Sequence, residues 1–195
     1  MKIDILALIK ARRTIRKYKD KKVPREMIEK VIDAGRWAPS AHNLQPWKFV
    51  VIENKDVINK IADLLEKEAR NLFSGFNVVM KDTVENLRNA PILLVVYSNG
   101  VISKKFDRFG PVYKKIANMY EVQSIAAAIE NMLLYSYSLN LGMTWYGMPL
   151  FFSKKITKFL KQSGKLSAIL SLGYPDEVPA VTRRKELTEI TEYVI

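Results

Sequence analysis

Apolar positions along the chain switch between helical spacing and runs of neighbours, and each switch marks an element. Residues 4–11 read as a short helix with Asp4 as its N-cap. A second helix is predicted over 24–36, with Pro24 near its first turn. Met27, Ile28, Val31 and Ile32 share one of its faces, and Gly35 lies near its end. Pro39 and Pro46 then bracket a polar loop, and Trp47–Glu53 reads as a strand. Asp56–Arg70 is an amphipathic helix with Val57, Ile58, Ile61, Leu64 and Leu65 inward, whereas 71–90 follows neither period clearly.

Pro91–Ser98 is apolar on both faces, which places it centrally in a sheet. Residues 99–120 mix Gly100, Gly110 and Pro111 with aromatics and lysines and read as a mobile loop or lid. Val122–Leu139 is the longest predicted helix, closed by Gly142 just beyond its end. It is apolar almost all round from Ile125 to Leu134, so it needs burial on several sides, and a partner subunit is the natural second side. Thr144–Gly147 follows as a short strand, 153–163 as a helix capped by Ser153, and Leu166–Leu172 as another central strand. The end of the chain, Glu189–Ile195, alternates like a β-strand. No repeat or linker interrupts the pattern, so one α+β domain over 1–195 is expected, with more helices than strands.

Composition narrows the chemistry. The 195 residues suffice for one hydrophobic core. The absence of cysteine excludes a disulfide framework, thiolate catalysis, iron–sulfur clusters and thiolate zinc sites. A single histidine excludes a two-histidine metal site, so no metal is expected. It also leaves any histidine-based triad to His42, which has no carboxylate near it in sequence and reads as a loop or interface residue. An enzyme so short of reactive side chains would take its reactivity from a cofactor.

Charge points to anionic partners. Thirty-two basic residues face twenty acidic ones, for a formal +12, and residues 1–30 alone hold eleven basic against four acidic. Lys154, Lys155, Lys158, Lys161 and Lys165 read as the solvated side of the 153–163 helix and its end, because Ile156, Phe159 and Leu160 keep helical spacing. A nucleic-acid-binding protein is the alternative that the charge raises. The aromatics do not interleave with the basic residues as a stacking platform requires, so no nucleic-acid partner is expected. No apolar run approaches the roughly 18–20 residues of a membrane span, and the N-terminus lacks a signal-peptide core. A cytoplasmic protein without membrane contact is the expectation.

Four local features carry candidate chemistry. Arg12, Arg13, Thr14 and Arg16 place three guanidinium forks and a hydroxyl within five residues, a pattern that suits phosphate or an ordinary basic surface. The loop Pro39-Ser40-Ala41-His42-Asn43-Leu44-Gln45-Pro46 offers amide and hydroxyl groups to a heteroaromatic edge, or forms a plain capped turn. In Gly142-Met143-Thr144-Trp145-Tyr146-Gly147 the glycines allow a flat ligand near the backbone, or a helix end running into a strand. Leu172-Gly173-Tyr174-Pro175-Asp176-Glu177, followed by Arg183, Arg184 and Lys185, could bring further cations to the same anion or form a surface tail.

In order and spacing these features together resemble the FMN-dependent nitroreductase family. The resemblance runs from Arg12-Arg13-Thr14-Ile15-Arg16 through Trp37-Ala38-Pro39-Ser40 and Gln45-Pro46-Trp47 to Ser124–Asn131, Gly142–Gly147 and Leu172–Glu177 with Arg184; the family usually has Ser where Thr14 stands. It implies a nitroreductase-like α+β fold, with a central mixed sheet flanked by helices, and an intertwined homodimer with FMN at the subunit interface. By position, Arg12, Arg13 and Thr14 would meet the phosphate side and ring edge, and Arg16 would lie near flavin N1 and O2. Pro39, Ser40, Ala41 and Asn43 would come from the other subunit. Trp145, Gly147 and Met148 would lie against the ring, with a backbone N–H near N5, and no catalytic side chain is needed. Arg184 would be a second phosphate cation, with Arg183 and Lys185 one step away.

A strand at 188–195 would extend over the partner. Residues 71–90 give no flavin contact by resemblance, and Phe106, Phe109, Tyr113 and Tyr120 would cap the flavin's open face. The implied activity is ping-pong transfer from NADH or NADPH to a nitroaromatic, quinone, flavin or related conjugated acceptor. The same resemblance accommodates a flavin carrier or sensor without turnover.

Overall fold

The computed structural model describes residues 4–72 and 77–194. Its centre is a four-stranded sheet, β1 (Trp47–Ile52), β2 (Ile92–Ser98), β3 (Gly142–Tyr146) and β4 (Lys165–Gly173), in the order β1-β2-β4-β3. Every residue of β2 is buried, as the two-faced apolar run requires of a central strand. All three strand pairings are antiparallel. The expected mixed character survives only in an isolated parallel bridge between Thr14 and Met143, on the outer edge of β3.

Each face of the sheet carries a helical layer. On one side α3 (Lys55–Leu72), α4 (Asn77–Asn89) and α7 (Ser153–Phe159) bury Ile58, Ile61, Leu65, Leu87 and Ile156 against Leu93, Val95 and Ile169. On the other, α2 (Arg25–Arg36) and α6 (Pro111–Ser138) bury Ile28, Val31, Ile125, Ile129 and Met132 against Leu94, Val96 and Leu170. A Cβ at Gly35 would stand 2.8 Å from Met132 Cγ, so glycine there lets α2 close on α6. The remaining helices are α1 (Ile5–Ala11), α5 (Val101–Phe106) and α8 (Leu187–Ile190). Asp4 does cap α1, accepting the Ala7 N–H at 3.1 Å.

Several expectations change. The segment 99–120 is no loop: it holds α5, a 3-10 turn at Asp107–Phe109 and the first ten residues of a 28-residue α6. Gly110 and Pro111 are start signals here, since proline at the first helical position loses no hydrogen bond. The unclear stretch 71–90 contains the end of α3 and all of α4, with 73–76 outside the described residues. Ser153 begins α7 rather than capping it, Phe152 stands at the cap position, and the helix ends at Phe159. The tail forms α8, fixed by a capping box between Glu186 and Glu189, and shows no strand over 188–194; Ile195 lies outside the described residues. Among the described residues no helix is long and apolar enough to cross a membrane.

Candidate functional site

The site begins where α1 ends. Arg12 takes up extended geometry and its N–H closes the helix on the Leu8 carbonyl. The chain then runs along the edge of β3, with Ile15 N–H donating to the Met143 carbonyl at 3.1 Å. A Cβ at Gly142 would lie 2.6 Å from the Ile15 side chain, so this approach requires glycine. The Ile15 carbonyl accepts from the hydroxyls of both Tyr18 and Thr144. Ile15 is buried, and because an extended chain alternates, Thr14 and Arg16 turn the other way.

There they face a cavity of about 210 Å³ lined by Arg12, Arg13, Thr14, Arg16, Pro179, Ala180, Thr182 and Arg184. Four guanidinium groups and no carboxylate give this wall the chemistry to receive an anion. Arg12 Nε is buried without a hydrogen bond; its nearest carboxylate oxygen, on Glu130, stands 3.8 Å away. A buried donor left unpaired is costly, and an anion in the cavity would relieve it. Arg184 Nη1 donates to Thr182 Oγ1 at 2.7 Å, while Arg183 and Lys185 lie outside the lining. Arg13 is already engaged, donating to the carbonyls of Lys10 and Arg12 at 2.7 Å each.

Arg16 also lines a second cavity of about 600 Å³, with Asp82, Thr83, Glu85, Asn86, Thr144, Trp145, Tyr146, Gly147 and Met148. Trp145 is 42% exposed in a strand whose other residues are buried. A Cβ at Gly147 would meet nothing within 4 Å, so the packing of this chain does not require glycine there. The four residues of α4 escaped the reading of the sequence. The signal was present: Met80, Val84 and Leu87 are buried at helical spacing, which turns Asp82, Glu85 and Asn86 outward. Behind this cavity Tyr18 shares a 2.6 Å hydrogen bond with Ser171 Oγ, which reaches the Tyr146 hydroxyl at 3.3 Å. Burial pushes both phenols above their ordinary range.

Residues 9–174 match the nitroreductase family. The chain is a member of the nitroreductase family. It is 33% identical, over 147 residues, to a Methanothermobacter thermautotrophicus protein that carries the name NADH dehydrogenase/NAD(P)H nitroreductase. That match takes in 75% of this chain and 62% of the archaeal one, so the chain spans less than two thirds of that relative. An iodotyrosine deiodinase from Thermotoga neapolitana is 26% identical over 191 residues, covering 92% of this chain and 93% of its own. The crystal structure of a BluB-like flavoprotein from Clostridium difficile 630 superposes with a TM-score of 0.82, at 26% identity and full coverage of both chains.

The structure of this nitroreductase-family chain thus gathers Arg12, Arg13, Thr14, Arg16 and Arg184 at one cavity, and Arg16, Trp145, Gly147 and Met148 at the other. Pro39, Ser40, Ala41 and Asn43 line neither. They belong to a separate loop whose Ala41 N–H donates to Ser124 Oγ at 3.3 Å, while that hydroxyl donates to the Tyr120 carbonyl. His42, Asn43 and Gln45 all have left-handed backbones, and the His42 ring centre lies 5.4 Å from that of Phe106.

Proposed function

We propose that this chain binds FMN and acts, as a homodimer, as an oxidoreductase that takes hydride from NADH or NADPH and reduces a conjugated acceptor in a ping-pong cycle. The observation that carries the reading is Arg16: it lines an anion cavity on one side and an open cavity with an exposed tryptophan on the other. A single cation-lined cavity suits the monophosphate of FMN, and the larger one suits an isoalloxazine ring. The unpaired Arg12 Nε fits the phosphate end. When bound, FMN would supply the redox chemistry, which agrees with a chain that lacks cysteine and has one histidine.

The chain's own residues bind and orient. Arg12, Thr14 and Arg184 would hold the phosphate, with Arg13 ordering the end of α1 beside it. Arg16 would offset negative charge at the pyrimidine edge. Trp145, Gly147 and Met148 would bound the ring, and protons would come from water. Two observations support the homodimer. Ile5, Leu6 and Ile9 on α1, and Val112, Ile116, Met119 and Val122 on α6, leave apolar side chains exposed. Pro39, Ser40, Ala41 and Asn43 stand apart from the cavities of their own chain and would complete the partner's site. Phe106, Phe109, Tyr113 and Tyr120 would cap the ring from that same unit.

The acceptors proposed are nitroaromatics, quinones and flavins, and similarity to a deiodinase extends the set to halogenated aromatics. The test is spectroscopic. The purified protein, or protein given FMN, should show a flavin spectrum near one per chain, elute as a dimer, and bleach anaerobically with NADH or NADPH. A protein that takes up no FMN would overturn the reading. Uptake without bleaching by either donor would instead favour a flavin carrier or sensor.

A further inference from the structure

Glu177 lines neither cavity, yet it is tied to the residue they share. One carboxylate oxygen, Oε1, accepts the N–H of Arg16 at 2.5 Å and that of Lys17 at 3.0 Å, across some 160 residues of sequence. The flanking backbone follows the same line. Lys19 N–H donates to the Tyr174 carbonyl and Asp176 N–H to the Lys17 carbonyl, both at 2.9 Å, and Tyr18 bridges to Pro175 in antiparallel fashion. The segment is therefore fastened twice: through Ile15 to β3, and through Arg16–Lys19 to the turn after β4.

Two adjacent N–H groups that converge on one point cannot be met by the next carbonyl of a regular strand, because those carbonyls alternate in direction. A side-chain oxygen with two lone pairs can meet both. Here that oxygen takes both N–H groups at the residue whose side chain serves both cavities. Without it both N–H groups would be left unmet, and the backbone at Arg16 would rely on the Ile15 N–H and carbonyl contacts on one side and the Lys17 carbonyl contact on the other.

We propose that Glu177 is a positioning residue for the cofactor: by accepting the N–H groups of Arg16 and Lys17 it fixes the backbone from which Arg16 reaches the flavin. The inference rests on the FMN reading above. It acts through hydrogen-bond acceptance rather than charge, so an amide oxygen at the same place should serve. Glu177→Ala removes the acceptor; Glu177→Gln keeps it and removes the charge.

The test measures FMN affinity of wild type and both variants by fluorescence titration, with amide exchange at Arg16 and Lys17 in the flavin-free protein. Glu177→Ala should weaken FMN binding at least tenfold and speed exchange of both amides, while thermal unfolding stays cooperative. Glu177→Gln should bring affinity back within about threefold of wild type and restore protection. Wild-type affinity in Glu177→Ala would overturn the positioning role alone. Equal loss in both variants, with protection kept in Glu177→Gln, would assign the effect to charge and overturn it as stated. A wild type that binds no FMN would instead overturn the flavin reading, and this inference with it.

Discussion

The two cavities that meet at Arg16 are built in different ways. The cationic one draws four of its eight lining residues from a single run, Arg12 to Arg16, and the rest from the tail. The larger one takes residues from α4, from β3 and the turn after it, and from Arg16. The first holds its groups by backbone bonds to β3 and to the 174–177 turn; the second holds them by the register of a helix packed on the sheet. Anion binding should therefore fail through loss of charge, and ring binding through loss of shape.

The glycines separate these modes most strongly. Gly142→Val would drive side-chain atoms into Ile15 and push the whole 12–16 run off β3. We expect a loss of about 3 kcal/mol in denaturant unfolding, at the upper end of overpacking, together with loss of FMN binding. Gly147→Ala places a Cβ in open space. Its stability should stay within about 0.5 kcal/mol of wild type, as for surface changes generally, while turnover falls. Unfolding curves and flavin titrations on the same samples check both, and a destabilised Gly147→Ala would break the distinction.

Charge comes next. Arg12→Ala and Arg184→Ala should each weaken FMN by about 1.5–3 kcal/mol, the range for hydrogen bonds to charged groups. The loss should shrink at high salt, since screening already weakens the wild type. Arg183→Ala, outside the lining, should stay near wild type in the same titration. On the ring side, Asp82→Asn and Glu85→Gln should leave FMN affinity almost unchanged. They should raise kcat/KM for anionic acceptors over cationic ones a few-fold at most, as removal of exposed charges worth up to about 1 kcal/mol allows. Steady-state kinetics with a matched pair of acceptors reads this directly.

The same contrast explains what could be read from the chain. Arg12, Thr14 and Arg16 are legible because chemistry and sequence coincide: a short extended run carries the cations, and burial of Ile15 sets their direction. Glu177 is not legible as a clamp, since its partners are backbone N–H groups some 160 residues away. Asp82, Glu85 and Asn86 were hidden because polar residues of an amphipathic helix look alike whether they face water or a ligand. The central place of β2 followed from periodicity, because Leu93 to Val96 must be buried on both sides, whereas helices on both faces of the sheet were implied by the family resemblance. The start of α6 did not, because Gly110 and Pro111 open a helix as readily as they end one. The tail misled for a related reason: its alternation suits a strand, yet the Glu186–Glu189 box closes a helical turn first.

The last effect concerns the hydroxyl network behind the two cavities, and its pH dependence appears only in alkali. Burial raises the pKa of Tyr18 and Tyr146 in the folded chain, whereas in the unfolded chain both titrate near pH 10. Above that pH the unfolded state sheds these protons and the folded state keeps them, so the folded state binds more protons and stability falls as pH rises. Below about pH 10 the contribution is constant, and no effect is expected near neutrality. Tyr18→Phe removes one such group along with its bond to the Ile15 carbonyl. It should cost about 1 kcal/mol at pH 8, the value of an ordinary hydrogen bond, and lose stability less steeply than wild type between pH 10 and 11. Denaturant unfolding at several pH values measures the two slopes. Equal slopes would mean that the Tyr18 hydroxyl is not shielded from water, and that the fastening of Ile15 is looser than the geometry requires.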